Sequence, residues 1–186
     1  MTSRIPPRSP DDWDDEARAA LASVRPPDAT GPVPNMLGIF AWHPVLARSW
    51  LTFSGHLRRS TLPDRARELA TMRTAWLRRG EYEWAQHVRM SREAGLTDEE
   101  IAAIPAGPDA ASWEPPDAAL LRAVDEMIGD RYVSDATWAE LGTVFSRRQL
   151  MDLVFTVGAY DMHCMAFNTF GLELEPGMEG LLKPPM

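Results

Sequence analysis

Proline and glycine divide this sequence into short segments, each with the periodicity of a helix. The 16 prolines and 12 glycines separate runs in which apolar residues recur every three or four positions. Leu46, Trp50, Phe53 and Leu57 form one such stripe. No stretch has a convincing alternation of apolar and polar residues, which is typical of a half-buried strand. The pattern predicts an all-α protein, a compact bundle of short helices.

Capping signals predict where individual helices begin and end. Pro10 takes the first position of a predicted first helix that begins at Ser9 and ends near Arg25, before two further prolines. Thr97 and Glu100 have the spacing of a capping box and predict a second helix start. Clusters of proline and glycine also mark the ends of the chain. We therefore expect an N-terminal extension with one helix and a Pro-rich loop over 1–34, a helical domain over 35–175, and a loose tail over 176–186.

Composition excludes several classes of function. The formal net charge is −8, which argues against nucleic acid or an anionic membrane as a partner. The only cysteine is Cys164, so no intramolecular disulfide and no multi-cysteine metal site can form. No apolar run is long enough to cross a membrane, and the first residues have no apolar segment typical of a secretory signal. We expect a cytoplasmic protein.

The predicted last helix is apolar nearly all round. Residues 150–170 read LMDLVFTVGAYDMHCMAFNTF, and such a helix usually lies at the centre of a bundle or at a subunit interface. His163 in this segment is more simply a core or interface histidine than a second catalytic one. Cys164 is more simply a small buried apolar residue than a nucleophile.

An acidic residue and a histidine share one helix face near the middle of the chain. Glu83 and His87 are four residues apart, so their side chains lie one turn from each other. An imidazole held by a carboxylate is a usable general acid or base near neutral pH. Gly80 is predicted to break the chain between this helix and the preceding one, which could bring Glu68 toward the pair. The same spacing also occurs as an ordinary surface or core contact.

Residues 67–101, RELATMRTAWLRRGEYEWAQHVRMSREAGLTDEEI, resemble the signature region of the carboxymuconolactone decarboxylase and AhpD-like superfamily. The peroxidase branch of that superfamily has a Glu, then a CxxC, then a His four residues after the second Cys. On this sequence the Glu falls at Glu68, the two Cys positions fall at Gly80 and Glu83, and the His falls at His87. The acid and the histidine are kept and both thiols are replaced, so the resemblance is to the decarboxylase-like branch. The missing dithiol argues against a thiol peroxidase.

The resemblance covers about residues 35–177, including FTVGAYDMHCMAFNTFGLELEPG near the end of the chain. It implies an AhpD-like helical subunit that assembles into homotrimers or homohexamers. It also implies a small-molecule substrate and a lyase that removes carbon dioxide from a carboxylated lactone, in aromatic or secondary metabolism. That reaction needs no metal and no cofactor, because the lactone carbonyl accepts the electron pair itself.

The resemblance implies roles for particular residues. His87 would donate or relay the proton, Glu83 would orient His87 or take its place in the relay, and Glu68 would tune the pair. Arg73, on the helix of Glu68, is a candidate to hold the substrate carboxylate. Tyr82, Trp84 and His163 complete the candidate substrate-binding residues, although a tryptophan such as Trp84 is more often part of a core.

Two functions stay open at this point. The first is a cofactor-independent carboxy-lyase or isomerase that acts on a small carboxylated lactone or enolisable acid by general acid–base catalysis. The second is a non-catalytic helical oligomer that binds a small molecule or a partner and keeps Glu83 and His87 as packing. Loss of function in a His87→Ala variant favours the first.

Overall fold

The computed structural model describes residues 3–178, and the regular structure in that range is entirely helical. The all-α prediction is therefore confirmed. Residues 179–186 of the predicted C-terminal tail lie outside the described residues. The nine α-helices of the described range are α1 (Asp15–Leu21), α2 (Asn35–Phe40), α3 (Pro44–Arg58), α4 (Asp64–Leu77), α5 (Glu81–Glu93), α6 (Asp98–Ala103), α7 (Pro115–Asp130), α8 (Asp135–Leu141) and α9 (Arg147–Phe170).

The described residues form two compact units. Residues 3–59 and 169–178 make up the first, and residues 60–168 make up the second. The second unit contains α4–α8 and nearly all of α9, and it holds every residue of the candidate site. The domain limits expected from the sequence, including 35–175, stay a prediction.

In the first unit, α1 packs against α3. The predicted start of the first helix at Ser9 is wrong. Residues 10–12 form only a short 3-10 turn, Trp13 is extended, and α1 begins after Asp14. The physical reason is that the Asp14 carboxylate accepts a hydrogen bond from the backbone N–H of Ala17 at 2.8 Å, which makes Asp14 the N-cap. The helix then ends at Leu21, before the predicted end near Arg25.

The second unit is built around α4, which packs against both α5 and α7. The helices α4 and α5 run antiparallel, because Trp76 contacts Trp84 near the turn that joins them and Glu68 contacts His87 farther from it. Gly80 lies in that turn as the N-cap residue of α5. The capping box predicted at the start of α6 is present, with Thr97 and Glu100 bonding each other's backbone.

The last long helix, α9, has one buried and one exposed side. Leu150, Leu153 and Val157 are buried in the core of the second unit. The carboxylate of Asp152 accepts hydrogen bonds at 2.8 Å from both the backbone N–H and the hydroxyl of Thr61, which anchors α9 near the start of α4. Within residues 3–178, no helix has the length and apolar content that a membrane span requires.

Candidate acid–base site

The centre of the candidate site is a contact between Glu68 on α4 and His87 on α5. Glu68 Oε2 lies 2.7 Å from His87 Nδ1, and the two residues are only 1% and 7% exposed. When the Glu68 carboxylate is ionised it can only accept hydrogen bonds, and Nδ1 is then the donor in this contact. Nε2 is then the ring nitrogen that can give or take a proton. Arg67 Nε, 3.4 Å from Glu68 Oε1, supports the negative charge of the carboxylate.

A second carboxylate–histidine pair joins α5 to α9. Glu83 Oε1 lies 3.0 Å from His163 Nδ1, and both residues are buried. The spacing of Glu83 and His87 predicted a contact within α5. In the structure a carboxylate from α4 contacts His87 and Glu83 contacts α9 instead. The predicted residues are brought together as two pairs, Glu68 with His87 and Glu83 with His163, and their catalytic roles stay a prediction.

Tyr160, on α9, lies between the two histidines and was missed by the sequence analysis. Its ring is perpendicular to His87 at a centroid distance of 4.9 Å and perpendicular to His163 at 5.8 Å. Burial raises the pKa of the Tyr160 phenol well above its usual value, and the negative charges of Glu68 and Glu83 raise it further. The phenol therefore stays protonated and can act as a hydrogen-bond donor. The i, i+3 spacing of Tyr160 and His163 places both side chains on one face of the last helix, and it could have indicated Tyr160 from the sequence.

Trp84 and Tyr82, the aromatic residues predicted to bind substrate, differ in their contacts. Trp84 is 1% exposed and packs against Trp76 in the core, at a centroid distance of 5.4 Å. Tyr82 meets Phe167 edge to face at 5.7 Å, and Phe167 stacks on His163 at 5.0 Å. Tyr82 thus reaches the second pair through Phe167, whereas Trp84 belongs to the hydrophobic core.

Arg73, the predicted carboxylate clamp, is engaged by the protein itself. Its Nε and Nη2 atoms donate to the two carboxylate oxygens of Asp125 at 2.6 and 2.8 Å. Its Nη1 donates to the carbonyls of Ile104 and Pro105 at 2.8 and 3.0 Å. The residue is buried, and a Cβ atom on Gly107 would come within 2.8 Å of its Nη2. Arg73 therefore ties α4 to α7 and to the turn after α6.

Cys164 fills the space beside Gly80, the first of the two cysteine positions of the peroxidase motif. A Cβ atom on Gly80 would overlap the sulfur of Cys164 and lie 3.2 Å from its Cβ. Burial raises the pKa of the Cys164 thiol, and the nearby charges of Glu83 and Asp161 act in the same direction. The thiol is thus held in its protonated, poorly nucleophilic form.

The part of the chain that the structure describes contains no cluster of three or more His, Cys, Asp or Glu side chains that could hold a metal ion. The side chains of the candidate site can supply proton transfer by His87, hydrogen-bond donation by Tyr160, and electrostatic support from two buried carboxylates.

The chain is similar to one protein family in sequence and to several solved structures in fold. The model of the carboxymuconolactone decarboxylase family matches residues 44–126. The sequence has no significant match among curated proteins.

Solved structures share the fold at low sequence identity. The AhpD-core, peroxidase-related protein of Ralstonia eutropha has a TM-score of 0.79 and 19% identity, over 96% of this chain and 95% of that one. An uncharacterized peroxidase-related protein of Silicibacter has a TM-score of 0.79 and 15% identity, over 97% of each chain. A cysteine-to-alanine variant of the debrominase Bmp8, in complex with 2,3,4-tribromopyrrole, has a TM-score of 0.74 and 11% identity, over 96% of this chain and 95% of that one.

The fold is therefore that of an AhpD-like helical subunit. Residues 44–126 match the carboxymuconolactone decarboxylase family, and the chain is similar in fold to AhpD-like proteins. The resemblance predicted from residues 67–101 is confirmed by the family match over residues 44–126 and by the AhpD-like fold.

Proposed function

We propose that this protein is a cofactor-independent carboxy-lyase or isomerase that acts on a small carboxylated lactone or a related enolisable acid. The observation that carries the proposal is the contact of 2.7 Å between Glu68 Oε2 and His87 Nδ1. A buried carboxylate that fixes one nitrogen of an imidazole leaves the other nitrogen available as a general acid or base.

In the proposed decarboxylation, the bond between the carboxylate carbon and the ring breaks and carbon dioxide leaves. The electron pair moves into the conjugated lactone and forms a dienolate. Protonated His87 then gives its Nε2 proton to the dienolate carbon, while Glu68 stabilises the imidazolium. The protonated phenol of Tyr160 donates a hydrogen bond to the developing enolate oxygen. His87 regains its proton from solvent.

In the isomerase form of the proposal, the same groups act without loss of carbon dioxide. Neutral His87 takes a proton from carbon next to the carbonyl and returns it at another carbon. The two forms differ only in whether the substrate carboxylate leaves. Exchange of substrate protons with deuterated water, without carbon dioxide release, identifies the isomerase.

The first test measures carbon dioxide release from a panel of carboxylated butenolides and β-keto acids. The wild type is compared with His87→Ala and with His56→Ala, which changes an exposed histidine of α3 outside the site. The proposal expects release by the wild type and by His56→Ala, and its loss in His87→Ala with an unchanged circular dichroism spectrum and assembly. Equal release by all three proteins contradicts the role of His87.

A second candidate function is a non-catalytic oligomer that binds a small molecule or a partner. The observation that favours it is burial, because Glu68 and His87 are each occupied by the other in the interior. In this case His87→Ala binds ligand as the wild type does and no compound of the panel turns over.

We also propose that the protein is a homotrimer or homohexamer in the cytoplasm. Self-association is supported by the exposed side of α9, where Met151, Phe155, Met162 and Met165 are 47–63% exposed and recur at helical spacing. A monomer in light scattering at micromolar concentration contradicts this proposal.

A further inference from the structure

A cleft opens in the second unit, where the C-terminal ends of α4 and α7 meet α9. Its volume is about 530 Å³, and its lining residues are Arg78, Arg131, Asp161, Met165 and Asn168. Arg78 and Arg131 are the C-cap residues of α4 and α7. The other three lie on one face of α9, at i, i+4 and i+7. A cleft of this size suits a small metabolite.

Two guanidinium groups converge in this cleft. Arg78 Nη2 and Arg131 Nη1 both donate to the carbonyl oxygen of Ile128, at 3.3 and 3.4 Å. A cation at the C-terminal end of a helix is favoured by the helix dipole, which explains one arginine at each end. It does not explain why the two side chains turn toward a single oxygen, since like charges at this separation repel.

Within the range that the structure describes, only one of the two arginines of the cleft forms an ion pair with a carboxylate. Asp161 Oδ1 accepts a hydrogen bond from Arg78 Nε at 2.5 Å. Among residues 3–178, Arg131 has no carboxylate in ion-pair contact. The described part of the chain therefore leaves one positive charge of the cleft in excess, at a position where an anion could contact both arginines.

The backbone at Arg131 is a further sign that its side chain is required. Arg131 has φ 72° and ψ 8°, the left-handed conformation in which glycine is strongly preferred at a helix end. A residue with a Cβ atom costs about 1 kcal/mol there relative to glycine. An unfavourable backbone kept at a non-glycine residue is often found where the side chain has a task.

The cleft lies next to the acid–base site. Cys164 packs over Gly80, two residues after Arg78, and follows His163 directly in the chain. Besides burial, Glu83 of the acid–base site and Asp161 of the cleft both raise the pKa of its thiol, whereas Arg78 lowers it. Around α9, Cys164 therefore lies between the face that lines the cleft and the face that carries His163.

We propose that Arg78 and Arg131 form a carboxylate-binding subsite for a small planar carboxylic acid whose ring points toward the acid–base site. The identity of that acid as the substrate rests on the proposed function. The subsite supplies the clamp that the sequence analysis assigned to Arg73. Met165 and Asn168 provide one apolar contact and one amide beside the ring.

The test uses 2-furoate as probe, because it joins a carboxylate to a five-membered oxygen ring, and furan-2-carboxamide as its uncharged counterpart. Binding to the full chain is measured by isothermal titration calorimetry. The variants are Arg131→Gly, which removes the charge and suits the left-handed backbone, and Arg89→Ala, which removes an exposed arginine of α5.

We expect the wild type and Arg89→Ala to bind 2-furoate with equal affinity. Arg131→Gly should bind it at least about tenfold more weakly, because a charge-assisted contact is lost. Arg131→Gly should have a melting temperature equal to or above that of the wild type, so weaker binding cannot come from unfolding. Any of three results overturns the subsite. The wild type binds the carboxamide as tightly as 2-furoate, Arg131→Gly binds 2-furoate as tightly as the wild type, or the wild type does not bind 2-furoate.

Binding and turnover together distinguish failure of the proposed enzyme function from failure of the proposed subsite. Binding of 2-furoate that depends on Arg131, without turnover of any compound of the panel, supports the subsite and contradicts the enzyme. Turnover that depends on His87 with an unchanged KM in Arg131→Gly supports the enzyme and contradicts the subsite.

Discussion

The sulfur of Cys164 occupies the space that a side chain on Gly80 would fill. Gly80 has φ −79° and ψ 80°, which residues with a Cβ atom also adopt, so its backbone does not require glycine. The requirement comes from the close approach of α9 to the turn between α4 and α5. Gly80 aligns with the first cysteine of the CxxC motif in the peroxidase branch. In this protein the thiol of Cys164, on α9, occupies the space beside that position.

The first prediction is that Gly80→Ala destabilises the fold. The added Cβ atom overlaps the Cys164 sulfur, and forcing one more methyl group into a packed interior costs about 1–3 kcal/mol of unfolding free energy. The measurement is urea denaturation followed by circular dichroism. The double variant with Cys164→Ala should recover part of the loss, because the sulfur is then absent.

The control for this prediction is Gly129→Ala. Gly129 lies in α7 and a Cβ atom there would contact nothing within 4 Å. That variant should gain about 0.5–1 kcal/mol through helix propensity. If Gly80→Ala behaves like Gly129→Ala, the close approach of Cys164 does not limit this position.

The second prediction concerns the reactivity of the same thiol. Burial and the charges of Glu83 and Asp161 raise the pKa of Cys164, so almost no thiolate exists at pH 8. Reaction with 5,5′-dithiobis(2-nitrobenzoate) at that pH should be much slower in the native protein than in 6 M guanidinium chloride. A native rate as fast as the denatured rate shows that Cys164 is accessible and ionised.

Much of the secondary structure could be predicted because helix ends are determined locally. Thr97 and Glu100 cap α6 as their spacing predicts, and Pro44 begins α3. The first helix was placed wrongly because Ser9 and Asp14 both carry cap-forming side chains, and the sequence does not show which of them the backbone uses. The structure selects Asp14.

The candidate site was only partly predictable, since its pairs cross between helices. Spacing places Glu83 and His87 on one face of α5, but it cannot show that α4 supplies the carboxylate for His87 or that α9 supplies His163 for Glu83. The predicted break at Gly80 and the family resemblance both indicated Glu68, but neither of them gave its direct contact with His87. The convergence of Arg78 and Arg131 depends on where α4 and α7 end in space, which periodicity does not reveal.

The third prediction is that Arg73→Lys destabilises the protein and leaves ligand binding unchanged. A lysine cannot reproduce the two-pronged contact with Asp125 together with bonds to the carbonyls of Ile104 and Pro105. A loss of about 2 kcal/mol in unfolding free energy is expected, since the arginine is buried but Asp125 is partly exposed.

The matched substitution for Arg73→Lys is Arg89→Lys, at an arginine that is exposed on α5. It should change the unfolding free energy by less than about 0.5 kcal/mol. Weaker binding of 2-furoate in Arg73→Lys, with little effect on stability, indicates instead that Arg73 holds the ligand.

The fourth prediction is a pH dependence from Glu100. Arg65 joins α4 to α6 and α7 through bonds to Glu100 at 2.5 Å and to Asp117 at 2.7 Å. The hydrogen bond from Arg65 is the main cause that lowers the pKa of Glu100 below its usual 4.5. Since the folded pKa is depressed, the stabilisation is complete above pH 4.5 and is lost as the pH falls through the folded pKa.

Glu100→Gln should therefore cost about 1 kcal/mol at pH 7, a value that allows for the partial exposure of the pair, and progressively less below pH 4.5. Glu99→Gln, at the exposed neighbouring position, should show no such trend. Denaturation midpoints between pH 3 and 7 test this. A cost in Glu100→Gln that stays constant down to pH 3 rules out the ion pair as its source.

The last prediction concerns Tyr160, whose phenol proton the proposed mechanism keeps in place. Burial raises the pKa of Tyr160 above its usual value of 10, with a further contribution from the charges of Glu68 and Glu83. Because the folded pKa is above the unfolded one, the stabilisation from the neutral phenol is complete below pH 10 and falls as the pH rises beyond it.

Absorbance at 295 nm reports the ionisation. Tyr160→Phe should remove a change that occurs well above pH 10, and Glu68→Gln should move that change to lower pH without abolishing it, since burial is the larger cause. If Glu68→Gln leaves the high-pH change where it is, the carboxylate does not act on Tyr160, and a shared site for Glu68, His87 and Tyr160 loses its electrostatic support.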